Sequence, residues 1–100
     1  MGPASADPVI QLFDENGMFK KYSLYSFDVS PAILDSVSAG KMKFGMDAQQ
    51  YLMGYLPVIF IVENAVHGFW PTNDVRTGPL FIDTPEKAKA MIELSKAGIR

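Results

Sequence analysis

The 100-residue sequence contains no cysteine, only one histidine and no long run of like charges. The absence of cysteine excludes disulfides and any chemistry that needs a thiolate. Nine lysine and arginine residues are scattered among eleven acidic ones, so no basic face for nucleic acid is expected. No metal-ligand cluster, nucleophile–base pair or glycine-rich phosphate loop is present. We therefore expect no enzyme, no cofactor, no metal and no nucleic-acid partner.

The sequence also lacks a segment of membrane-spanning length. Its longest apolar segment, Tyr51 to Val62, is about two-thirds of the ~20 residues that a spanning helix needs. Because it contains Gly54 and Pro57, we interpret it as a buried core element. Residues 1–8 have neither a basic nor an apolar region, so they are not a signal peptide. The length allows one small domain.

Caps, turn residues and apolar spacing predict alternating helices and strands, and hence an α/β fold with flanking helices. The predicted helices cover 5–16 (capped by Ser5 or Asp7), 30–40 (started by Ser30-Pro31), 49–66 (loosened near Pro57) and 84–98 (started by Thr84-Pro85). The predicted strands cover 22–27, 41–46 and 79–82, and residues 68–77 are a loop.

Two aspartates follow successive strands of this pattern. Asp28 ends the first predicted strand and Asp47 ends the second, with one helix between them. Strands joined by a helix run parallel and bring their carboxyl ends to one edge of the sheet, where ligands sit in open α/β sheets. We expect both carboxylates at that edge. The alternative, which the residues leave open, is that each only binds a nearby backbone N–H in a turn.

The segment Ser26 to Val58 resembles the C-terminal part of periplasmic sugar-binding proteins. These are the type I solute receptors of ABC transporters, the group that includes ribose-binding proteins. The resemblance rests on Phe27-Asp28, on Ser30-Pro31, and on the run Asp-Ala-Gln-Gln-Tyr-Leu-Met-Gly-Tyr that starts at Asp47. Residues 77–83 and 95–100 are also similar to the end of that family.

The resemblance implies a partial type I periplasmic-binding-protein fold, with a Rossmann-like or flavodoxin-like parallel sheet in incomplete lobes. It implies that 2–47 belong to the second lobe, about 49–76 to the first, and about 78–83 to the second again. The chain would then be a C-terminal fragment of a periplasmic receptor. Its partners would be a small sugar and the membrane subunits of an ABC importer.

The resemblance also implies ligand-binding roles for Asp28, Asp47 and Gln49. Ionised carboxylates suit this task because each oxygen accepts hydrogen bonds from sugar hydroxyls. The chain departs from the family pattern at Ala48, where a glutamine is usual, and it loses a donor and an acceptor there.

Three further expectations follow. Without the rest of both lobes, the chain should bind sugar weakly or not at all, and its uncovered apolar surface should drive self-association. Trp70 and Phe69 either stack on a sugar or, more commonly, cover core. His67 is predicted to end a helix. The competing functional class is a flavodoxin-like signalling module with Asp28 or Asp47 as phospho-acceptor, which needs further acidic residues for Mg²⁺.

Overall fold

The elements alternate along the chain as the sequence pattern predicts. The computed structural model describes residues 2–99. The helices are α1 (Pro3–Glu15), α2 (Pro31–Ser38), α3 (Gln50–His67) and α4 (Pro85–Lys96), with a short 3-10 helix at Met18–Lys20. The strands are β1 (Tyr25–Phe27), β2 (Phe44–Asp47) and β3 (Leu80–Ile82). The predicted α/β fold is confirmed, although each strand is shorter than its predicted range.

Helices α2 and α4 begin where the sequence predicts. Each has a capping hydroxyl followed by proline at the first helical position, where the missing N–H costs no hydrogen bond. Ser30 Oγ accepts the N–H of Ile33 at 3.1 Å. Thr84 Oγ1 accepts the N–H of Lys87 at 3.3 Å.

The predicted cap of α1 by Ser5 or Asp7 is wrong. The helix begins at Pro3 after Gly2, with no side-chain cap, and Pro8 lies inside it. Asp7 has a different partner, because its Oδ1 accepts the Ser30 hydroxyl at 2.7 Å. Ser30 thus caps α2 and also ties α2 to α1.

The sheet has the order β1–β2–β3. Strands β1 and β2 are parallel, with Tyr25 opposite Phe44. Strand β3 is antiparallel to β2, with Leu80 opposite Asp47, which the expectation of a parallel sheet did not include. The reason is that α3 starts at the carboxyl edge of β2 and the chain re-enters the sheet at that same edge.

The core lies on one face of the sheet. Helix α2 packs against both α1 and α4, and all three contribute to a single cluster. The buried apolar members are Ala6, Ile10, Leu24, Ile33, Leu34, Val37, Met42, Ile82 and Ala88. The opposite face, called here the open face, carries Tyr25, Phe27, Phe44, Met46 and Phe81. Its rings form a row across the strands, with centroids 5.0 Å apart for Tyr25 and Phe44 and 5.4 Å apart for Phe44 and Phe81.

The predicted burial of Tyr51 to Val62 is wrong for this chain. Helix α3 has no buried residue. It is apolar around its circumference and about 27 Å long, and it extends away from the core, so the molecule measures 57 × 24 × 24 Å. Its exposed large apolar side chains are Tyr51, Met53, Tyr55, Val58, Ile59, Ile61, Val62 and Val66. Within residues 2–99, no helix combines the length and the apolarity needed to cross a membrane.

The double role of Ser30 leads to a prediction for stability. Ser30→Ala removes the α2 cap and leaves the Asp7 carboxylate without its hydroxyl donor. We expect it to lower the free energy of unfolding by about 1–2 kcal/mol, measured by urea denaturation. The matched control is Ser38→Ala in the same helix, where the hydroxyl donates to the Asp35 carbonyl in an exposed position. Equal losses in the two variants would contradict the proposed tie between the helices.

Candidate ligand-binding site

The two predicted aspartates lie at the same edge of the sheet, as expected. Asp47 is the last residue of β2, and Asp28 directly follows β1, which runs parallel to it. The two side chains have different surroundings, however, and the structure gives them different tasks.

Asp28 turns the chain sharply away from the sheet. Its backbone is left-handed, with φ 63°, and its N–H donates to the Met46 carbonyl at 2.6 Å. Residues other than glycine rarely adopt this region, although aspartate tolerates it better than most. The half-buried carboxyl lies in the wall of a cavity beyond the carboxyl edge of the sheet.

Asp47 is fully buried, with 0 % of its surface exposed. Its Oδ1 accepts the N–H of Gln49 at 2.7 Å, which is the turn contact that the sequence left open as an alternative. Gln49 is itself left-handed, with φ 58°, and directly precedes α3. The buried carboxylate therefore holds the turn through which β2 enters α3, and it is not part of the cavity wall.

The chain crosses this turn a second time on its way back to the sheet. The Gln49 side-chain amide donates to the Thr77 carbonyl, and Thr77 Oγ1 donates to the Ala48 carbonyl at 2.8 Å. At Gly78, an added Cβ would lie 2.9 Å from the Asp47 carbonyl oxygen and 3.0 Å from Ala48 Cα. Only glycine allows this approach. The segments 47–49 and 77–78 are called here the crossing segments.

The cavity lies beside the crossing segments and has a volume of about 350 Å³. This is near the lower end of the range for small-molecule sites. It is lined by Phe27, Asp28, Met46, Ala48, Met53, Val75, Arg76, Thr77, Gly78 and Pro79. The wall therefore combines a carboxylate, which accepts hydrogen bonds, a guanidinium, which donates them, and apolar surface that includes the exposed ring of Phe27.

The sequence pattern did not single out Arg76 or Gly78 as site residues. Both lie at the end of the predicted loop 68–77 or directly after it, and their position depends on the second crossing. The similarity of residues 77–83 to the end of the receptor family was the one signal available, because it marked a return to the sheet.

The aromatic loop that follows α3 lies at a different cavity. Trp70 and Phe69 are exposed and line an apolar space of about 360 Å³ with Ile59 and Phe60. Neither ring lines the cavity at Asp28. His67 is the last residue of α3, as predicted, with Nε2 4.0 Å from Glu63 Oε2.

The geometry gives little support to a phospho-acceptor site. Full burial removes the Asp47 carboxylate from any phosphodonor. Asp28 is accessible, yet residues 2–99 contain no group of three or more histidine or acidic side chains placed to hold a metal ion.

Comparison with known proteins supports the fold. The chain is similar to a solved structure described as a carbohydrate transporter from Acidothermus cellulolyticus 11B in complex with myo-inositol. The TM-score is 0.74 at 24% sequence identity, over 91% of this chain and 32% of that one. No family model and no curated protein matches the sequence. The chain thus has part of a periplasmic-binding-protein fold and spans about a third of the length of that transporter.

The close approach at Gly78 predicts an unusually costly substitution. In Gly78→Ala the new methyl meets backbone atoms that no side-chain rotation can move aside. We expect a loss of about 1–3 kcal/mol in the free energy of unfolding, together with a change in the cavity. Gly54→Ala is the control, because nothing lies within 4 Å of that added Cβ and alanine favours a helix interior. Urea unfolding of both variants tests this prediction, which fails if Gly78→Ala is as stable as the parent.

Proposed function

We propose that this chain is part of the substrate-binding protein of an ABC sugar importer and works in the periplasm. The observation that carries the proposal is the accessible carboxylate of Asp28 in a cavity beside two crossing segments. The likeness in fold to a carbohydrate transporter and the sequence resemblance of Ser26 to Val58 support it. The whole receptor would pass its sugar to the membrane subunits of the importer.

In this proposal Asp28 recognises the sugar directly. A carboxylate accepts hydroxyl hydrogen bonds on two oxygens, and bonds to an ionised group are stronger than neutral ones. The left-handed turn directs the side chain away from the sheet, so the carboxyl is free of the β1–β2 ladder. The neighbouring Phe27 ring is 61% exposed and offers a surface for the C–H face of a sugar ring.

The crossing segments would form the hinge between two lobes. Residues 2–47 and about 78–83 would belong to one lobe, and about 49–76 to the other. Asp47 and Gln49 would then serve the ligand by positioning rather than by contact. Asp47 holds the turn into α3, and the Gln49 amide joins the outgoing segment to the returning one.

The chain alone would bind its sugar weakly, in the millimolar range. The cavity has one wall from the sheet edge and one from the crossing segments, and α3 brings to it a single side chain, that of Met53. Ligand sites that bind tightly bury most of the ligand surface. A sugar bound here would stay largely in contact with water.

The same chain would also associate with itself. Helix α3 and the open face together expose far more apolar surface than isolated soluble proteins tolerate. Strand β1 also has no neighbour on its outer side within residues 2–99. Pairing of copies through these surfaces removes them from water, and exchange of an element between copies is an economical route to this.

Asp28→Asn tests the ligand site. The amide keeps the size of the carboxyl but loses the charge and one acceptor. We expect binding of myo-inositol to weaken about tenfold, as followed by ¹H–¹⁵N chemical-shift titration of the whole chain. Asp35→Asn is the matched control, because Asp35 lies exposed on α2, outside the cavity wall. Equal binding by the two variants would argue against the proposed role of Asp28, and micromolar binding by the parent against the proposed weakness.

Ile61→Asp tests self-association. The side chain is 60% exposed in the middle of an uncovered helix, so an added charge leaves the core intact and penalises contact between copies. We expect the parent chain to show a concentration-dependent mass above that of the monomer by light scattering, and the variant to shift towards the monomer. A parent that unfolds cooperatively as a monomer at all concentrations would refute the idea.

A further inference from the structure

The cavity at Asp28 contains a second charged side chain, Arg76, of opposite sign. It lies on the returning chain directly before Thr77. Within residues 2–99, neither the Asp28 carboxyl nor the Arg76 guanidinium forms a hydrogen bond or ion pair with another side chain, so neither neutralises the other. A lone carboxylate and a lone guanidinium thus share one cavity of about 350 Å³.

We infer that Arg76 is a specificity-determining residue of this cavity. It donates to hydroxyl oxygens of an uncharged polyol whose neighbouring hydroxyls donate to Asp28. The inference rests on the proposed sugar-binding function and narrows its ligand class, because it assigns the ligand no net charge at this end of the site.

The chemistry of the two groups selects this class. Arg76 only donates hydrogen bonds and Asp28 only accepts them, whereas a hydroxyl does both. A carboxylated or phosphorylated sugar satisfies Arg76 and is repelled by Asp28. An amino sugar satisfies Asp28 and is repelled by Arg76. A neutral ring with hydroxyls on adjacent carbons satisfies both groups at once.

The rest of the wall leaves this donor role to Arg76. Ala48 presents only a methyl group to the cavity, and the Thr77 hydroxyl already donates its proton to the Ala48 carbonyl. The remaining side chains in the wall are apolar apart from Asp28. The fixed bond between Thr77 and Ala48 also holds the backbone next to Arg76, which limits the positions that the guanidinium reaches.

The test compares Arg76→Gln with Lys89→Gln in the whole chain by ¹H–¹⁵N titration. Each variant loses one positive charge, but Lys89 lies exposed on α4, away from the cavity. With myo-inositol, we expect the Arg76 side-chain N–H signal of the parent to shift. We expect the dissociation constant to rise about tenfold or more in Arg76→Gln, and to stay unchanged in Lys89→Gln.

Charge selectivity gives a readout that a purely structural role would not move. D-Glucose, D-glucosamine and D-glucuronate share one ring and differ in charge. We expect the parent to prefer glucose to both charged sugars. In Arg76→Gln the discrimination against glucosamine should shrink, while that against glucuronate should persist. Adding Ala48→Gln to Arg76→Gln should restore part of the affinity for myo-inositol, because it returns an amide donor to the same wall.

Three results would overturn the inference. Arg76→Gln binding myo-inositol as Lys89→Gln does, while Asp28→Asn loses binding, would remove Arg76 from the site and leave the proposed function standing. A parent that prefers glucuronate or glucosamine to glucose would refute the assignment of a neutral ligand. Absence of any shift at the cavity residues of the parent with all these sugars would contradict both the inference and the proposed function.

Discussion

The contact between the two crossing segments is the constraint on which the rest of the molecule depends. The segments 47–49 and 77–78 approach so closely that a side chain at Gly78 would collide with the backbone of Asp47 and Ala48. A buried carboxylate holds one segment in its turn, and hydrogen bonds from Gln49 and Thr77 join it to the other. This contact fixes where α3 leaves the sheet and where β3 re-enters it. It also places the cavity that Asp28 and Arg76 line.

The distribution of apolar surface follows from the same geometry. Three helices cover one face of the sheet, and the fourth departs at the crossing and covers nothing. The chain therefore has one well-packed core together with an aromatic open face and a fully apolar helix in contact with water. In α/β folds both surfaces are normally interior. Their exposure agrees with the proposal that further polypeptide, from the rest of a receptor or from another copy, completes the structure.

Local chemistry predicted the parts of the fold that local contacts determine. The hydroxyl–proline starts at Ser30 and Thr84, and the parallel edge that carries Asp28 and Asp47, need only neighbours in sequence and the rule for strand–helix–strand units. The start of α1 was mispredicted because Asp7 bonds to Ser30, a residue 23 positions away. The direction of β3 and the burial of α3 were also missed, because both depend on which elements meet across the crossing.

The candidate site divides in the same way. Asp28 was accessible to sequence reasoning because it follows a strand and matches a family motif. Sequence reasoning did not separate its environment from that of Asp47, since burial of one carboxylate and exposure of the other are set by the returning segment. Arg76 carries no motif of its own. It enters the cavity wall only because Gly78 lets the second crossing lie against the first.

A crystal structure of this chain with bound myo-inositol tests the central claim most directly, that the edge of the sheet and the crossing segments together form a sugar site. The account predicts density for the ring in the cavity, with adjacent hydroxyls within hydrogen-bond distance of the Asp28 carboxylate and the Arg76 guanidinium. Density for the ring only at another place, such as the apolar cavity beside Trp70, would contradict it.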